Sequence, residues 1–412
     1  MQSIIVEKPY KFVPPYRGNF WPSFIIYFDI FSRHLRKHEG VFSHEVRHVE
    51  RLKESLAAGH GIMLTPNHPR TADPLVMGYL SRAAGSHVFG MASWHLFNQG
   101  WFNAWAIRAI GGFSVNREGI DRQAINTAIE VLDEAKRPLV VFPEGGSTRT
   151  NDRLHALLDG VAFIARAGAK KRQKRNAGQV VIHPVAIKYL FQGDLVRAAD
   201  GVLSDIEKRL SWRPRPRVPL MDRISKVGVA LLTLKEMEYF GAPQAGRLGE
   251  RLQRLLDRLL GPLEEHWMGH VQSGGVIPRV KALRMRIMPE MVNGQLSADE
   301  RARRWEQLHD IYLAQQLSCY PPDYLTSRPS VDRLLETIER FEEDLNDKAR
   351  IHGDLKAVIE VGEPILVSPE RDRKAPVDPI MIEIESSLNR MLARLGEESP
   401  LFVDPLVETP AA

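Results

Sequence analysis

The chain has 412 residues, about three times the commonest domain length, so it holds either one large interrupted domain or two to three domains. Hydrophobic residues at 43% and charged residues at 26% are ordinary globular values and exclude a mainly disordered or fibrous chain. A formal net charge of only +5 excludes a surface dedicated to nucleic acid. The single cysteine, Cys319, excludes an internal disulfide framework and fits a reducing compartment.

An aromatic stripe lies near the start of the chain. Aromatic residues recur there at three- and four-residue steps, which predicts one aromatic helix face: Phe20, Phe24, Tyr27, Phe28 and Phe31. Cations follow at Arg33, Arg36 and Lys37. The pattern is typical of a helix lying on a membrane surface, and it equally suits a helix that packs its rings on the protein's own body. The stretch is shorter than a membrane span, and Glu7 and Lys8 interrupt any signal sequence, so we expect no export.

Strand-like and helix-like segments alternate up to about residue 190. Apolar runs predict strands at 62–64, 88–91, 113–115, 139–142 and 180–187. Helical spacing predicts helices at 44–58, 75–84, 101–110, 121–135 and 154–167. This alternation predicts an α/β fold with a mainly parallel central sheet flanked by helices.

The pattern changes after Gly193. Residues 194–353 are helix-rich and charged, and no internal repeat is evident in the chain. A strand-like segment returns at 355–367 and an amphipathic helix follows; because a lone strand cannot pair its own backbone, we expect it to rejoin the earlier sheet. We therefore predict five segments: an N-terminal helical membrane-proximal segment (1–58), a catalytic domain in two parts (59–193 and 354–400), a large helical insertion between them (194–353) and a tail (401–412).

Three polar clusters follow strand-like runs, at 67–73, 116–117 and 144–146. Because the carboxyl ends of parallel strands share one edge, we expect these clusters to converge in one crevice. Asp73 and Pro74 predict a helix start, which places His68 on a loop facing the first helical turn. Asp73 can hold one imidazole nitrogen and leave the other as a general base, or it can serve only as a helix cap. The pair lacks a protein nucleophile.

The polar blocks resemble those of the glycerolipid acyltransferase superfamily. NHPRTADP at 67–74 is similar to its block of a histidine and an aspartate with four residues between them. GGFSVNRE (111–118), VVFPEGG (140–146) and VIHPVAIKY (181–189) are similar to the next three. EVGEPI at 360–365 is similar to the strand that follows them. Four blocks in order are far more specific than one. The third block departs from the family pattern. The family usually has threonine and arginine directly after its glycine, whereas here Gly146 and Ser147 intervene before Thr148 and Arg149.

The resemblance implies that the acceptor's own hydroxyl is the nucleophile. His68 would deprotonate it for attack on an acyl thioester while Asp73 holds the imidazole. Arg117 would bind an acceptor phosphate, Glu144 would position the acceptor, and amides near Gly145 and Gly146 would stabilise the oxyanion. Asn67 and Arg149 complete the expected substrate-binding set.

The resemblance also sets the expected partners. The donor would be acyl-CoA or an acyl carrier protein, and the acceptor a lipid or glycerol phosphate, in phospholipid biosynthesis. We expect no cofactor, no metal and no nucleic acid. Residues 20–37 and the basic run AKKRQKR at 169–175 would touch anionic lipid, although a run of this kind is more often a solvated loop. The enzyme would then be cytoplasmic and peripheral on the inner face of the membrane.

Three other functions fit parts of the sequence. The segment from His44 to His48 reads HEVRH, which on a helix could bind zinc as in metalloproteases. Ser147 follows a strand-like run as in serine hydrolases, but Arg149 stands where the closing glycine is expected. A catalytically silent lipid-binding scaffold could keep the same fold.

Overall fold

The computed structural model describes residues 7–372 and 374–407. The contacts within these ranges divide the chain into two compact units. The first, which we call the sheet unit, holds the residues up to Leu190 together with Leu355–Glu397. The second, the helical unit, holds Phe191–Asp354 and the residues after Glu397.

The sheet unit is built on one sheet whose strands pair mostly in parallel. Its strands are β1 Val41–Arg47, β2 Gly61–Pro66, β3 Phe89–Ser93, β4 Gly112–Val115, β5 Leu139–Val140, β6 Val180–Phe191, β7 Leu355–Val361 and β8 Ile365–Leu366. The order across the sheet is β1-β7-β6-β2-β5-β3-β4, and β8 pairs antiparallel with β6. The segment predicted to rejoin the sheet is therefore β7, which lies between β1 and β6.

Helices flank this sheet and build the helical unit. In chain order they are α1 Phe20–Tyr27, α2 Ile30–Glu39, α3 Val49–Ala57, α4 Asp73–Ala84, α5 Trp101–Ala109, α6 Arg122–Glu134, α7 Gly160–Lys174, α8 Leu195–Arg209, α9 Leu220–Phe240, α10 Leu248–Met268, α11 Val276–Asn293, α12 Ala298–Leu317, α13 Tyr324–Ser327, α14 Val331–Asn346 and α15 Pro379–Gly396. None of the helices in the described ranges is long and apolar enough to cross a membrane.

The central strands are buried on both faces. Every residue of β2 and of β6 is buried, as is typical of parallel strands covered by helices on both sides. Side chains of α6, α7 and α15 pack with those of the strands in one apolar cluster. This packing gives the loops at the strand ends a rigid support.

Two predictions of helices in the N-terminal region are wrong. Residues 44–47 belong to β1 and only Val49–Ala57 forms a helix, because parallel pairing of β1 with β7 satisfies the backbone of His44 to Arg47. The predicted segment 1–58 is therefore not wholly helical. The aromatic stripe likewise spans two helices, since Asp29 adopts a left-handed conformation (φ 53°) between α1 and α2. Its last ring, Phe31, is buried against Tyr79 at 5.1 Å between ring centroids.

The helical unit contains a repeated clamp between successive helices. Glu236 of α9 accepts two bonds from the guanidinium of Arg251 on α10, at 2.8 and 2.7 Å, and one from the backbone of Gln244 at 3.0 Å. Glu264 of α10 accepts the same set from Arg279 on α11, at 2.7 and 3.0 Å, and from the backbone of Gln272 at 3.0 Å. Both glutamates are fully buried.

The clamp reveals an internal repeat that was not predicted from the sequence. A shift of 28 residues carries Glu236 to Glu264, Gln244 to Gln272 and Arg251 to Arg279. The turn glycines follow the same shift: Gly241 and Gly269 end their helices, and Gly246 and Gly274 both have positive φ. An earlier clamp joins Glu207 of α8 to Arg223 of α9 at 3.1 Å. Together these clamps show that the expectation of no internal repeat is wrong.

Candidate active site

The parallel pairing gathers the polar clusters at one edge of the sheet. Strands β2, β5, β3 and β4 run in the same direction, so the loops that follow them leave from the same side. The loop after β2 carries His68, the loop after β5 carries Glu144, and the loop after β4 carries Arg117. Because β4 lies three positions from β2, about 14 Å separates the axes of the two strands.

His68 and Asp73 form a hydrogen-bonded pair. His68 Nδ1 lies 2.7 Å from Asp73 Oδ2, and the same oxygen accepts the backbone N–H of Arg70 at 2.9 Å. Asp73 is fully buried, whereas 13% of the His68 side chain is exposed. With Nδ1 engaged, Nε2 is the ring nitrogen that can exchange a proton with a substrate.

The position of Asp73 separates its two expected roles. The N-cap of α4 is Ala72, and Asp73 is the first residue of the helix. Its carboxylate bonds His68 and the backbone of Arg70, both in the preceding loop, and the hydroxyl of Tyr189 on β6. The described bonds of Asp73 thus order the histidine loop, and a helix cap does not account for them.

Glu144 joins the histidine loop to a second loop. Its Oε1 accepts the backbone N–H of His68 at 2.7 Å, and its Oε2 accepts that of His155 at 2.8 Å. The side chain is 3% exposed, and burial raises the pKa of Glu144 to about 7. Because both carboxylate oxygens accept backbone N–H groups, Glu144 positions the loop that carries His68. These bonds do not support the predicted contact between Glu144 and the acceptor.

The loop after Glu144 pairs with the histidine loop through main-chain bonds. Thr148 N–H donates to His68 O at 2.9 Å, and Arg149 N–H donates to Pro69 O at 3.0 Å. Gly145 has φ +73°, and a Cβ at this position would lie 2.7 Å from Leu158 Cδ1, so glycine is required. The Gly145 amide donates to Phe142 O at 3.2 Å within its own turn, which leaves Gly146 as the candidate oxyanion donor of the two.

Asn67 is a structural residue in this arrangement. Its side-chain amide donates to Ile187 O at 3.0 Å and accepts from Ile187 N–H at 2.7 Å. The residue is 1% exposed. Its polar groups are thereby used in joining the end of β2 to β6, which argues against the predicted substrate contact.

The two predicted arginines lie at different distances from the pair along the edge. Arg117 is half-buried in the loop after β4, which is shaped by a bond of 2.9 Å from Asn116 N–H to Asp121 Oδ2. Arg149 lies beside the histidine loop. Burial raises the pKa of Glu39 above its ordinary value, and the charges of Arg149 and Arg70 offset part of this rise. Arg149 therefore adjoins the His68 region, and the phosphate-binding role of Arg117 stays a prediction.

Four residues around the pair were not predicted from the sequence. They are Glu39 at the end of α2, Arg70, Asn151 and Tyr189 of β6, which donates to Asp73 Oδ1 at 2.5 Å. Tyr189 was visible only as the last residue of the fourth family-like block. Long-range contacts of this kind leave no periodic signal in a single sequence.

The structure removes the metalloprotease interpretation. His44 and Glu45 lie on β1, where a four-residue separation spans about 13 Å instead of one helical turn, so His44 and His48 cannot share a metal ion. His44 stacks on Tyr79 at 3.6 Å and Glu45 pairs with Lys356 at 2.6 Å. Among the residues described, no cluster of three or more His, Cys, Asp or Glu side chains could hold a metal ion.

Comparisons with known proteins relate this edge to acyltransferases. Strands β2 to β5 and the His68–Asp73 pair lie in residues 45–188, which match the family named Acyltransferase. This segment is thus similar to glycerolipid acyltransferases. Over 150 residues the chain is 34% identical to a 1-acyl-sn-glycerol-3-phosphate acyltransferase of Streptococcus pneumoniae (strain ATCC BAA-255 / R6), covering 36% of this chain and 52% of that protein. The chain thus spans about half the length of this curated relative.

Proposed function

We propose that the protein transfers a fatty acyl group from a thioester donor to a hydroxyl of a glycerol-phosphate or lysophospholipid-type acceptor. The observation that carries this proposal is the bond of 2.7 Å between His68 and Asp73, within the segment that matches the acyltransferase family. The name of the Streptococcus pneumoniae relative specifies a phosphorylated glycerolipid acceptor for that protein.

The proposed reaction needs only one general base. His68 Nε2 takes the proton of the acceptor hydroxyl as its oxygen attacks the thioester carbonyl carbon. The tetrahedral intermediate then collapses to the new ester and expels the thiolate, which takes the proton back from the imidazolium. Asp73 holds the ring by Nδ1 and stabilises its charged form throughout. The donor in this scheme is acyl-CoA or an acyl carrier protein.

The acceptor would extend along the carboxyl edge of the sheet. Its hydroxyl would meet His68, and its phosphate would meet Arg117 at the end of β4, with Arg149 as a second cation nearer the pair. The amide of Gly146 would face the developing oxyanion. These roles follow the family resemblance and the position of each loop.

A serine hydrolase is less well supported. Ser147 is exposed, and the described part of the chain gives it no hydrogen-bonded histidine. A serine nucleophile requires such a base within hydrogen-bond reach.

We also propose that the sheet unit works at the membrane surface on the cytoplasmic face. Aromatic side chains of α1, the residue after it and α5 form one surface through ring contacts, including Trp21 with Trp105 at 5.0 Å between ring centroids. This aromatic surface consists of Phe20, Trp21, Phe24, Tyr27, Phe28, Trp101, Phe102 and Trp105. All but Trp21 are exposed, and exposed cations follow on α2 at Arg33, Arg36 and Lys37. Rings beside cations are the groups that enter an anionic lipid interface.

The basic run at 169–175 supports membrane contact less well. It forms the end of α7 and not a loop, and Arg172 is buried, donating to the backbone of Gly59 at 2.6 Å and of Asp133 at 2.8 Å. Lys171 and Arg175 both pair with Asp133. Only part of the run is therefore free to meet lipid.

The proposal is tested by incubating the purified protein with an acyl thioester and a panel of acceptors, and identifying the products by mass spectrometry. The panel contains glycerol 3-phosphate, lysophosphatidate, an uncharged monoacylglycerol and water alone. We expect a new ester on a phosphorylated acceptor, and we expect Ser147→Ala to keep it. Release of free fatty acid alone, abolished by Ser147→Ala, would identify a hydrolase instead.

A further inference from the structure

The hydroxyl of Tyr189 donates a hydrogen bond to the carboxylate oxygen of Asp73 that does not contact His68. Tyr189 Oη donates to Oδ1 at 2.5 Å, while His68 Nδ1 lies 2.7 Å from Oδ2. We propose that Tyr189 is a positioning residue of the catalytic pair: by binding Oδ1 it fixes the plane of the carboxylate, so that Oδ2 faces the imidazole. This inference rests on the proposed function and adds a third member to its site.

Tyr189 is itself held from three sides. The residue is 1% exposed and lies on β6, a strand of the central sheet. The side-chain amide of Asn151 bonds both backbone groups of Tyr189, accepting from its N–H at 2.8 Å and donating to its carbonyl at 2.6 Å. The guanidinium of Arg70 lies 5.4 Å from the centre of the phenol ring. A side chain held in this way can impose one orientation on its partner.

The charges around Asp73 keep Tyr189 in the donor form. Burial and the Asp73 carboxylate raise the pKa of Tyr189 well above its ordinary value, so the phenol keeps its proton at any working pH. The other groups that face this cluster are Arg70 and Glu39, with Arg149 beside Glu39, and Glu144 on the far side of the histidine loop. Tyr189 is thus a permanent donor to Asp73.

Removing the hydroxyl has a defined effect on the pair. In Tyr189→Phe the ring stays in place beside Arg70, but Oδ1 loses its donor and the carboxylate is free to rotate. The lost bond also leaves more negative charge on the carboxylate, so the His68–Asp73 pair binds a proton more tightly. The acid limb of the pH profile should therefore move to higher pH.

Kinetics and titration together test this inference. We expect Tyr189→Phe to lower kcat about tenfold with KM changed less than about twofold, because the bond acts on the base and not on substrate binding. We expect the acid limb of the pH profile to move to higher pH, and the imidazole signals of His68, followed across the same pH range by NMR of protein labelled with nitrogen-15 histidine, to move with it. The His68 signal is assigned by its loss in His68→Ala.

Tyr324→Phe is the matched control. It removes a similarly buried bond of 2.6 Å between Tyr324 Oη and Glu336, which lies in the helical unit. This control should lose stability without changing the His68 titration or the acid limb. Tyr189→Phe with kcat within twofold of the wild type and an unshifted His68 titration would overturn the inference, as would an equal effect of both variants.

The two proposals fail separately in this design. Absence of acyl transfer by the wild-type protein would refute the proposed function. The comparison of His68 titration between the wild type and Tyr189→Phe needs no substrate, so it still decides whether Tyr189 acts on the pair.

Discussion

The carboxylate of Glu144 makes the stability of the folded protein depend on pH. Its folded pKa of about 7 lies above the ordinary value of 4.5, because the charged form is buried. Between these two values the folded state retains a proton that the unfolded chain has released. The contribution of Glu144 to stability is therefore full below pH 4.5 and is lost as pH rises toward 7.

We predict that Glu144→Gln flattens this dependence. The difference in free energy of unfolding between the wild type and the variant should change by about 3 kcal/mol from pH 4.5 to pH 7, since one pKa unit is worth about 1.4 kcal/mol. Urea unfolding at several pH values measures this difference. A constant difference across that range would show that folding does not raise the pKa of Glu144.

At the same scale, the sequence predicts the pair but not its surroundings. His68 and Asp73 lie in one loop and helix start, so their spacing is enough to propose their contact. Tyr189 bonds Asp73, which lies 116 residues away in the sequence, and Asn67 bonds Ile187 of β6, which lies 120 residues away. Such contacts depend on the order of strands in the sheet, which the local pattern does not encode.

At the scale of elements, the aromatic surface separates the two interpretations of the N-terminal stripe. Phe31 packs inward, whereas Phe20 is 63% and Tyr27 is 82% exposed. Periodicity predicted one face for all five rings, but the break at Asp29 gives α1 and α2 different directions. The outward rings are the ones that can meet lipid.

We predict that Phe20→Ser with Tyr27→Ser weakens binding to anionic phospholipid vesicles by about tenfold or more, because two exposed rings no longer enter the interface. Phe163→Ser is the control, since Phe163 on α7 is exposed to the same degree as Phe20. Vesicle co-sedimentation with purified variants measures the effect. Equal binding by the wild type, the double variant and the control would contradict the membrane role of this surface.

The helix clamps make a second prediction at this scale. Arg251→Met leaves Glu236 buried without its cation and should cost about 3–5 kcal/mol in the free energy of unfolding of the helical unit. Lys235→Met removes an exposed pair with Glu238 and should cost at most about 1 kcal/mol. Denaturation followed by far-UV circular dichroism compares the two. Similar small losses in both variants would mean that the clamp does not stabilise the repeat.

At the scale of the whole molecule, the sequence predicts the class of fold and misses its detail. Alternating segments were enough for a parallel α/β sheet, and the return of β7 follows from the rule that a strand needs partners. The position of β1 was missed, because its pairing with β7 overrides the helical spacing of residues 44–58. The clamp repeat was also missed, since its shared residues are few and widely spaced.

The central claim for the whole molecule is that His68 is the general base of an acyltransferase. Acyl transfer from a thioester to a phosphorylated glycerol acceptor by His68→Ala measures it most directly, with circular dichroism to confirm folding and the exposed His270→Ala as control. The rate should fall by about 10²–10⁴-fold in His68→Ala and stay unchanged in His270→Ala. A folded His68→Ala protein that retains a rate within about tenfold of the wild type would contradict the claim.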